Sequence, residues 1–572
     1  MPYRSPVAEY QFMLEHVVGF DQVAGTVRFS DATRDVTGAV LAEAGRLCDT
    51  VLAPLQRNGD KHPARLENGV VRTSPGFAEG YRAIVEGGWV GISAPEAFGG
   101  MGLPVTLASV VNEMMAGACL SLQLNPLMTQ GQIEALEHHA SDAIRDLYLP
   151  KLISGDWCGT MNLTEPQAGS DVGALRTRAE PLGDGTYAVS GQKIYISWGD
   201  NDFTANVCHL VLARLPGAAA GTRGISLFMV PKYLPDADGH PGVANALQVV
   251  SLEHKLGLHG SPTAVMQYDG AQGWLIGAEH QGMKAMFTMM NNARLGVGIQ
   301  GIGVAEAAFQ HALAYAVERK QGAVPASAPA DSAGAIIGHA DVRRMLGVMK
   351  AELFAARAIA LACAVAIDMA KAGGPGAADW QARAALLTPI AKAFGTDTGI
   401  GVASMGVQVH GGMGFIEETG AAQFLRDVRV TAIYEGTNGI QAMDLVGRKM
   451  MDGGAAAFAA LDEVAGAAKA MGGPVDLVAD VKAAGAALRA ATEGLLAQEM
   501  NDRFAGAVPY LRAFARVLGA QFHLAAAAAD PAREPLARVY IKRLLPEHTA
   551  LLAQVREGAA GLYALDALAL SA

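Results

Sequence analysis

Apolar positions recur along the chain with two different periods, and the places where the period changes divide it into regions. Over residues 8–18 and 33–55 they return every three or four positions, with Val40, Leu41, Ala44 and Leu47 on one face, which predicts amphipathic helices. Pro54 is expected to help end the second. Residues 58–74 are polar and contain glycine, which predicts a loop, and 75–87 is helical again. Residues 87–102 hold too many glycines and prolines for a helix, whereas 107–119, 130–139 and 142–154 each predict one. The first region is therefore read as all-α, ending near residue 157.

The texture then changes. Residues 157–164, 186–196, 205–212, 224–230 and 265–268 are short and β-rich, with loops of Gly, Pro and Asp between them, which predicts a small antiparallel sheet or barrel. After Gly282 helical spacing returns over 283–319, 341–372, 380–410 and from Gln441 onward. Residues 321–335, rich in Ala, Pro, Gly and Ser, predict a flexible surface insert. From about 455 a region of Ala-rich helices begins, in which 536–555 predicts an amphipathic helix packed on the body. The division expected is an N-terminal α domain over 1–157, a middle β domain over 158–280, a helical domain over 281–454 and a helical extension over 455–572, a mostly α member of the α+β class.

Composition narrows the function classes. Of 572 residues, 51% are hydrophobic and 17% charged, below the usual quarter, which points to a well-buried chain that also buries surface between subunits. No uninterrupted apolar run reaches the roughly 18 residues of a membrane span, and the start carries no apolar signal-peptide core. Five cysteines without CxxC spacing suit a reducing cytoplasm and argue against zinc or a disulfide frame. The histidines are not grouped as metal ligands, and His138 and His139 read as solvent-exposed. A net charge of −11 gives no footprint for nucleic acid.

Candidate chemistry centres on residues 427–441, read as an extended or loop segment that enters a helix, with Thr437 or Asn438 as its cap. Glu435 stands there between Tyr434 and Gly436. An aromatic neighbour excludes water and raises a carboxyl pKa, and a glycine admits a substrate close to the backbone, which together suit a general base. A surface glutamate at a helix start is the plain alternative. Residues 164–171 (TEPQAGSD) form either a nest for phosphate or flavin or a tight structural turn. In residues 191–197 (GQKIYIS), strand alternation places Tyr195 and Ser197 on one face, able to cover and hydrogen-bond a flavin ring, or simply to line a half-buried strand. Residues 408–414 (QVHGGMG) end a helix in a glycine loop where His410 is assigned no chemistry, and Arg319 closes another helix.

In this order, and with residues 426–441 (RDVRVTAIYEGTNGIQ) as the sharpest match, these segments closely resemble the acyl-CoA dehydrogenase family over roughly 35–450. The resemblance implies an N-terminal α domain, a middle antiparallel β domain, a C-terminal four-helix bundle, bound FAD and an oligomer, dimer or tetramer. It implies that Glu435 is the catalytic base and that Met161, Leu163, Thr164, Gly169, Ser170, Tyr195, Ile196, Ser197, Arg319, Thr437 and Asn438 contact FAD. Gln408, Gly411 and Gly412 match a loop that reaches the FAD of a neighbouring subunit. Ser170, Asn291, Arg294 and Glu435 match substrate contacts. The chain departs from the family in having Tyr-Ile-Ser for the commoner Trp-Ile-Thr at 195–197, and Asn291 for the usual Asp.

The resemblance further implies that Glu435 removes the α-proton of an acyl-CoA while the Cβ hydride passes to flavin N5, giving a trans-2-enoyl-CoA, with an electron-transfer flavoprotein as electron acceptor. Length, the insert and residues 257–263 (GLHGSPT) resemble a long bacterial subgroup that includes 3-methylmercaptopropionyl-CoA dehydrogenases of dimethylsulfoniopropionate breakdown. A β-oxidation fatty acyl-CoA dehydrogenase, an acyl-CoA oxidase and a DNA-associated flavoprotein of the same fold are the alternatives. The nearly balanced charge after residue 450 and the presence of Glu435 speak against the last.

Overall fold

The computed structural model describes residues 3–470 and 474–571. In chain order these form α1 (Val7–His16), α2 (Phe20–Ala24), α3 (Arg34–Leu47), α4 (Ala53–Lys61), β1 (Arg65–Glu67), β2 (Val70–Arg72), α5 (Phe77–Glu86), α6 (Val105–His139) and α7 (Asp142–Ile153). Then come β3 (Trp157–Asn162), β4 (Arg178–Pro181), β5 (Tyr187–Ser197), β6 (Asn206–Arg214), β7 (Ile225–Pro231), β8 (Tyr233–Pro235), β9 (Pro241–Ala244), β10 (Leu247–Leu252) and β11 (Thr263–Ile276). The helices α8 (Gly282–Glu318), α9 (Ala340–Ala372), α10 (Ala377–His410), α11 (Ala421–Val428) and α12 (Asn438–Val446) follow. The extension adds α13 (Ala455–Ala470), α14 (Val475–Ala497), α15 (Met500–Ala505), α16 (Ala507–Ala529), α17 (Glu534–Val539) and α18 (Glu547–Glu557).

Several local expectations change. α3 does not stop at Pro54: one wide turn, Cys48–Leu52, joins it to α4, and Pro54 lies in the first turn of α4, where a missing N–H is best tolerated. The loop expected at 58–74 holds the β1–β2 hairpin, so the first region is not purely helical. Its turn is Asn68–Gly69, with φ of 51° and 77°, the pair that a two-residue hairpin turn favours. The helix expected at 107–119 ends where expected, because Cys119 (φ −157°, ψ 89°) leaves helical geometry and divides α6 into two helices, the second of which begins well before the expected 130. The single helix expected at 536–555 is α17 and α18 joined by a wide turn, with Pro546 starting α18. Both α6 and α9 are long and apolar enough to cross a bilayer, yet most of each apolar window is buried inside the protein, as in core helices.

The chain divides into two compact units, one of residues 46–103 and 118–293, the other of 1–45, 104–117 and 294–572. The first holds a seven-stranded sheet in the order β10-β11-β5-β4-β6-β3, in which β7 pairs with both β11 and β6 and so closes a ring. Most pairings are antiparallel, while β3 and β4 each run parallel to β6. Val189, Ile196, Val211, Phe228, Met266 and Tyr268 fill its core.

The second unit is a helical bundle in which α9 and α10 pack along one another. α8 and α10 approach backbone to backbone. A Cβ on Gly298 would stand 2.7 Å from the Ala391 carbonyl, and one on Gly301 would stand 2.6 Å from the Gly395 carbonyl. Asp368 of α9 caps the start of α6, its carboxylate accepting the Val105 and Thr106 N–H groups at 2.7 and 2.8 Å. The extension belongs to this body: α16 packs on α9 and α12, and its buried Arg516 pairs with Glu352 and, at 2.7 Å, with Glu547. The insert at 321–335 is closed at its base, the Ile336 N–H donating to the Arg319 carbonyl at 2.7 Å.

Candidate active site

The segment around Glu435 is helical where an extended stretch was expected. α11 runs to Val428, a tight turn covers Arg429–Ala432, and Val428 and Thr431, three residues apart, are both buried. β-branched residues suit an extended stretch, but helical spacing is what buries this face. Thr437 is the N-cap of α12, its hydroxyl accepting from the Ile440 N–H at 3.3 Å. Between the helices the backbone turns through two left-handed residues, Glu435 with φ 58° and Gly436 with φ 85°. For a glutamate that conformation costs about 1–2 kcal/mol, which neighbouring contacts must offset.

Those contacts are present. The Gln441 side-chain amide donates to the carbonyls of Glu435 and Gly436 at 3.2 and 3.4 Å. The Tyr434 hydroxyl hydrogen-bonds the Gln300 side chain of α8. Lys392 of α10, fully buried, donates to the Gly436 carbonyl at 2.9 Å and to Asn438 Oδ1 at 3.0 Å.

Burial pushes the Glu435 carboxyl up to about 7, against the pull of two cations, Arg294 and then Lys392. Burial also lowers Lys392 to about 8. The carboxyl of Glu435 is thus poised near neutrality, where a general base works best. A surface glutamate at a helix start would not be shifted in this way.

The second unit places Glu435, Arg294, Thr437 and Asn438 in one neighbourhood. The Asn438 side chain is engaged within the chain, donating to Asp397 at 2.7 Å and accepting from Lys392. Arg319, Gln408, Gly411 and Gly412 are exposed and lie elsewhere, at the far ends of α8 and α10. These two ends meet, since His410 stacks on His311 and Tyr315 with ring centroids 4.8 and 4.4 Å apart. At 1.5 Å per residue, Lys392 and Gln408 are about 24 Å apart along α10.

In the sheet unit, the turn at 164–171 is closed by hydrogen bonds. Glu165 and Ala168 exchange backbone hydrogen bonds of 3.1 and 2.9 Å. The buried Glu165 carboxylate accepts from Lys193 at 2.8 Å and from the Arg176 and Thr177 N–H groups at 2.6 and 2.9 Å. Thr164 is half-buried, and Gly169 and Ser170 are exposed at its tip.

On β5 the expected alternation fails. Lys193 faces Met266 and Ile196 faces Ala264, so Ile194 and Tyr195 together oppose the single residue Val265. This bulge, with Tyr195 at φ 62°, turns the Tyr195 ring outward to 61% exposure while Ile196 enters the core and Ser197 stays half-buried. Met161 and Leu163 are also half-buried. Asn291 is exposed on α8 and Arg294 is buried, 3.7 Å from Asp444. Among the described residues no group of three His, Cys, Asp or Glu side chains makes a metal site, and the five cysteines are buried and unbridged. His138 is exposed, but His139 is half-buried and hydrogen-bonds Thr288 at 2.7 Å.

Sequence reasoning missed Lys392, Lys193 and Glu165. The signal was present as a lysine inside an apolar helical run at 390–394 and another inside a core-facing strand, since a lysine in such a place must have an oxygen partner.

The chain thus combines a helical region, a small closed β ring and a helical bundle that carries a half-buried glutamate with its carboxyl raised to about 7. Sequence models of the N-terminal, middle and C-terminal domains of acyl-CoA dehydrogenases match residues 39–156, 160–271 and 280–451, and an acetyl-CoA dehydrogenase C-terminal-like model matches 457–566. The chain belongs to the acyl-CoA dehydrogenase family. It is 46% identical over 540 residues to a 3-methylmercaptopropionyl-CoA dehydrogenase of Ruegeria pomeroyi, covering 93% of this chain and 92% of that protein. A butyryl-CoA dehydrogenase of Syntrophomonas wolfei is 36% identical over 439 residues, 73% of this chain and 72% of its own. The fold matches an acyl-CoA dehydrogenase of Bacillus anthracis, solved as a complex with FAD, with a TM-score of 0.74 at 18% identity over 97% of this chain and 92% of that one.

FAD is the cofactor of this family, and the side chains here suit it. Tyr195 supplies an exposed aromatic ring, Thr164, Ser170 and Ser197 supply hydroxyls, and Met161 and Leu163 supply half-buried apolar groups, the kinds of side chain a flavin ring requires. The exposed Arg319 guanidinium suits a pyrophosphate.

Proposed function

We propose that this enzyme dehydrogenates an acyl-CoA between Cα and Cβ to a trans-2-enoyl-CoA, with Glu435 as the base, and that its substrate is 3-methylmercaptopropionyl-CoA. The observation that carries the mechanism is the position of Glu435: a carboxyl shifted by burial to about 7, in a turn whose backbone is held by Lys392 and Gln441. The acyl chain rests on the 46% identity to the Ruegeria enzyme.

A thioester α-proton becomes acidic only when charge on the carbonyl oxygen is stabilised, and the Glu435 backbone N–H is the protein's donor for that task. Glu435 takes the α-proton. Arg294 holds positive charge nearby, which favours the ionised base before the reaction. Bound FAD supplies the hydride acceptor. Met161, Leu163, Thr164, Gly169, Ser170, Tyr195, Ile196 and Ser197 would hold a flavin on the sheet unit, and Thr437 and Asn438 are flavin contacts proposed for the helical unit. Arg319, Gln408, Gly411 and Gly412, remote along their helices from Lys392 and Arg294, serve the cofactor of a second copy, which makes the enzyme a homo-oligomer. Ser170 and Asn291 meet the CoA ester. Electrons leave to an electron-transfer flavoprotein, and the buried, unbridged cysteines suit a cytoplasmic location.

Anaerobic titration of the yellow protein with a panel of acyl-CoAs tests the substrate. 3-Methylmercaptopropionyl-CoA and short straight-chain esters are expected to bleach the flavin band. Bleaching by long chains alone contradicts the assignment, and steady peroxide formation in air would mark an oxidase instead.

A further inference from the structure

Lys392 has no assigned task in the reaction, yet its surroundings give it one. It sits in α10, one turn before Gly395, at the seam where α8 and α10 touch backbone to backbone. Its side chain is fully buried, and burying an ammonium among apolar groups is costly unless oxygens receive it. Two do: the Gly436 carbonyl at 2.9 Å and Asn438 Oδ1 at 3.0 Å, on either side of Thr437. On its other side Asn438 donates to the Asp397 carboxylate at 2.7 Å and to the Thr396 hydroxyl at 3.0 Å. A cation on the amide oxygen and an anion on the amide nitrogen fix which way this amide points. The left-handed pair Glu435–Gly436 is therefore tethered immediately C-terminal to the glutamate, through an ammonium carried by a rigid 34-residue helix.

We propose that Lys392 is the positioning residue of the base: its ammonium locks the Gly436 carbonyl to the Asn438 side chain, holds Glu435 in its left-handed conformation, and sets the charge beside its carboxylate. This rests on Glu435 being the base. The ammonium acts in two ways that can be separated. As a donor it fixes the turn, and as a charge it favours the ionised carboxylate. Other charged groups about the turn are Arg294 of α8, beside Asp444 of α12 at 3.7 Å and near Arg448, and Asp397 of α10, which feels Arg512 of α16 and Arg429. Arg294 remains when Lys392 is removed, so losing Lys392 weakens but does not abolish the pull on the proton.

The test compares Lys392→Met, Lys392→Gln, Lys392→Arg and Glu435→Gln as FAD-loaded proteins. The rate of flavin reduction by butyryl-CoA is followed against pH, and the carboxylic C=O stretch is titrated by infrared. The band missing in Glu435→Gln belongs to Glu435. Lys392→Met and Lys392→Gln are expected to move both the acid limb of the rate profile and the infrared midpoint upward by about one pH unit. Lys392→Arg keeps the charge and is expected to leave both midpoints near those of the wild type.

Slower reduction with both midpoints unmoved in Met and Gln variants would overturn the proposal and leave Lys392 a packing residue. Should Lys392→Met fail to fold, Lys392→Gln, which can still donate to the Gly436 carbonyl, decides the question alone. Normal reduction of Glu435→Gln would instead sink the reading of Glu435 as base, a result independent of the Lys392 midpoints.

Discussion

Lys193 and Glu165 form an ion pair 2.8 Å long with both side chains closed to solvent, and the carboxylate also receives the N–H groups of Arg176 and Thr177. The pair holds the start of the turn whose tip carries Gly169 and Ser170. Removing one partner of a buried pair strands the other charge, at a cost of about 3–5 kcal/mol. Glu165→Gln is therefore expected to lower unfolding free energy by that order in denaturant melts and to weaken FAD retention. Burial alone would raise the Glu165 carboxyl, but Lys193 and the hydrogen bonds outweigh it and hold it at about 2, below its ordinary 4.5. Its stabilisation is complete above about pH 4.5 and is lost as pH falls through 2. The wild-type advantage over Glu165→Gln should shrink across that window. An undiminished advantage at pH 2 would contradict the pairing.

Tyr195 occupies a left-handed backbone position with a largely exposed ring, an arrangement that costs stability and gains little from burial. Tyr195→Gly should relieve about 1 kcal/mol of backbone strain, so its Tm should equal or exceed that of the wild type while FAD dissociates faster. A large fall in Tm would show that the ring supports the fold instead.

The bundle depends on glycine where α8 meets α10. A Cβ on Gly301 would meet the Gly395 carbonyl at 2.6 Å, a backbone atom that cannot rotate away. Gly301→Ala should force the helices apart, lowering Tm by several degrees and slowing flavin reduction, because α8 carries Arg294 and α10 carries Lys392. Gly401→Ala, where nothing lies within 4 Å, serves as the control and should leave both unchanged.

These cases show what the pattern of residues disclosed. Helical spacing located the long helices of the bundle to within a few residues, because burial on one face leaves its period in the sequence. The Asn68–Gly69 hairpin is legible in its turn pair, although the polar stretch around it reads as a loop. The bulge at Tyr195 was not legible: strand alternation assumes a regular ladder, and an extra residue opposite Val265 breaks it without altering composition. The glycines at 298, 301 and 395 read as weak helix formers, although their use is the close approach of two backbones, which only the packed structure reveals. Glu435 stood out through its neighbours, whereas the lysine that holds it lies 43 residues away on another helix.

The role proposed for Glu435, removal of the α-proton, meets its most direct test in one substitution. Glu435→Gln keeps the shape of the side chain and its turn but has no basic carboxylate. Purified with FAD and mixed anaerobically with 3-methylmercaptopropionyl-CoA, it should stay yellow, with flavin reduction slowed by about 10³-fold or more relative to the wild type. Full bleaching of Glu435→Gln at the wild-type rate would contradict the account.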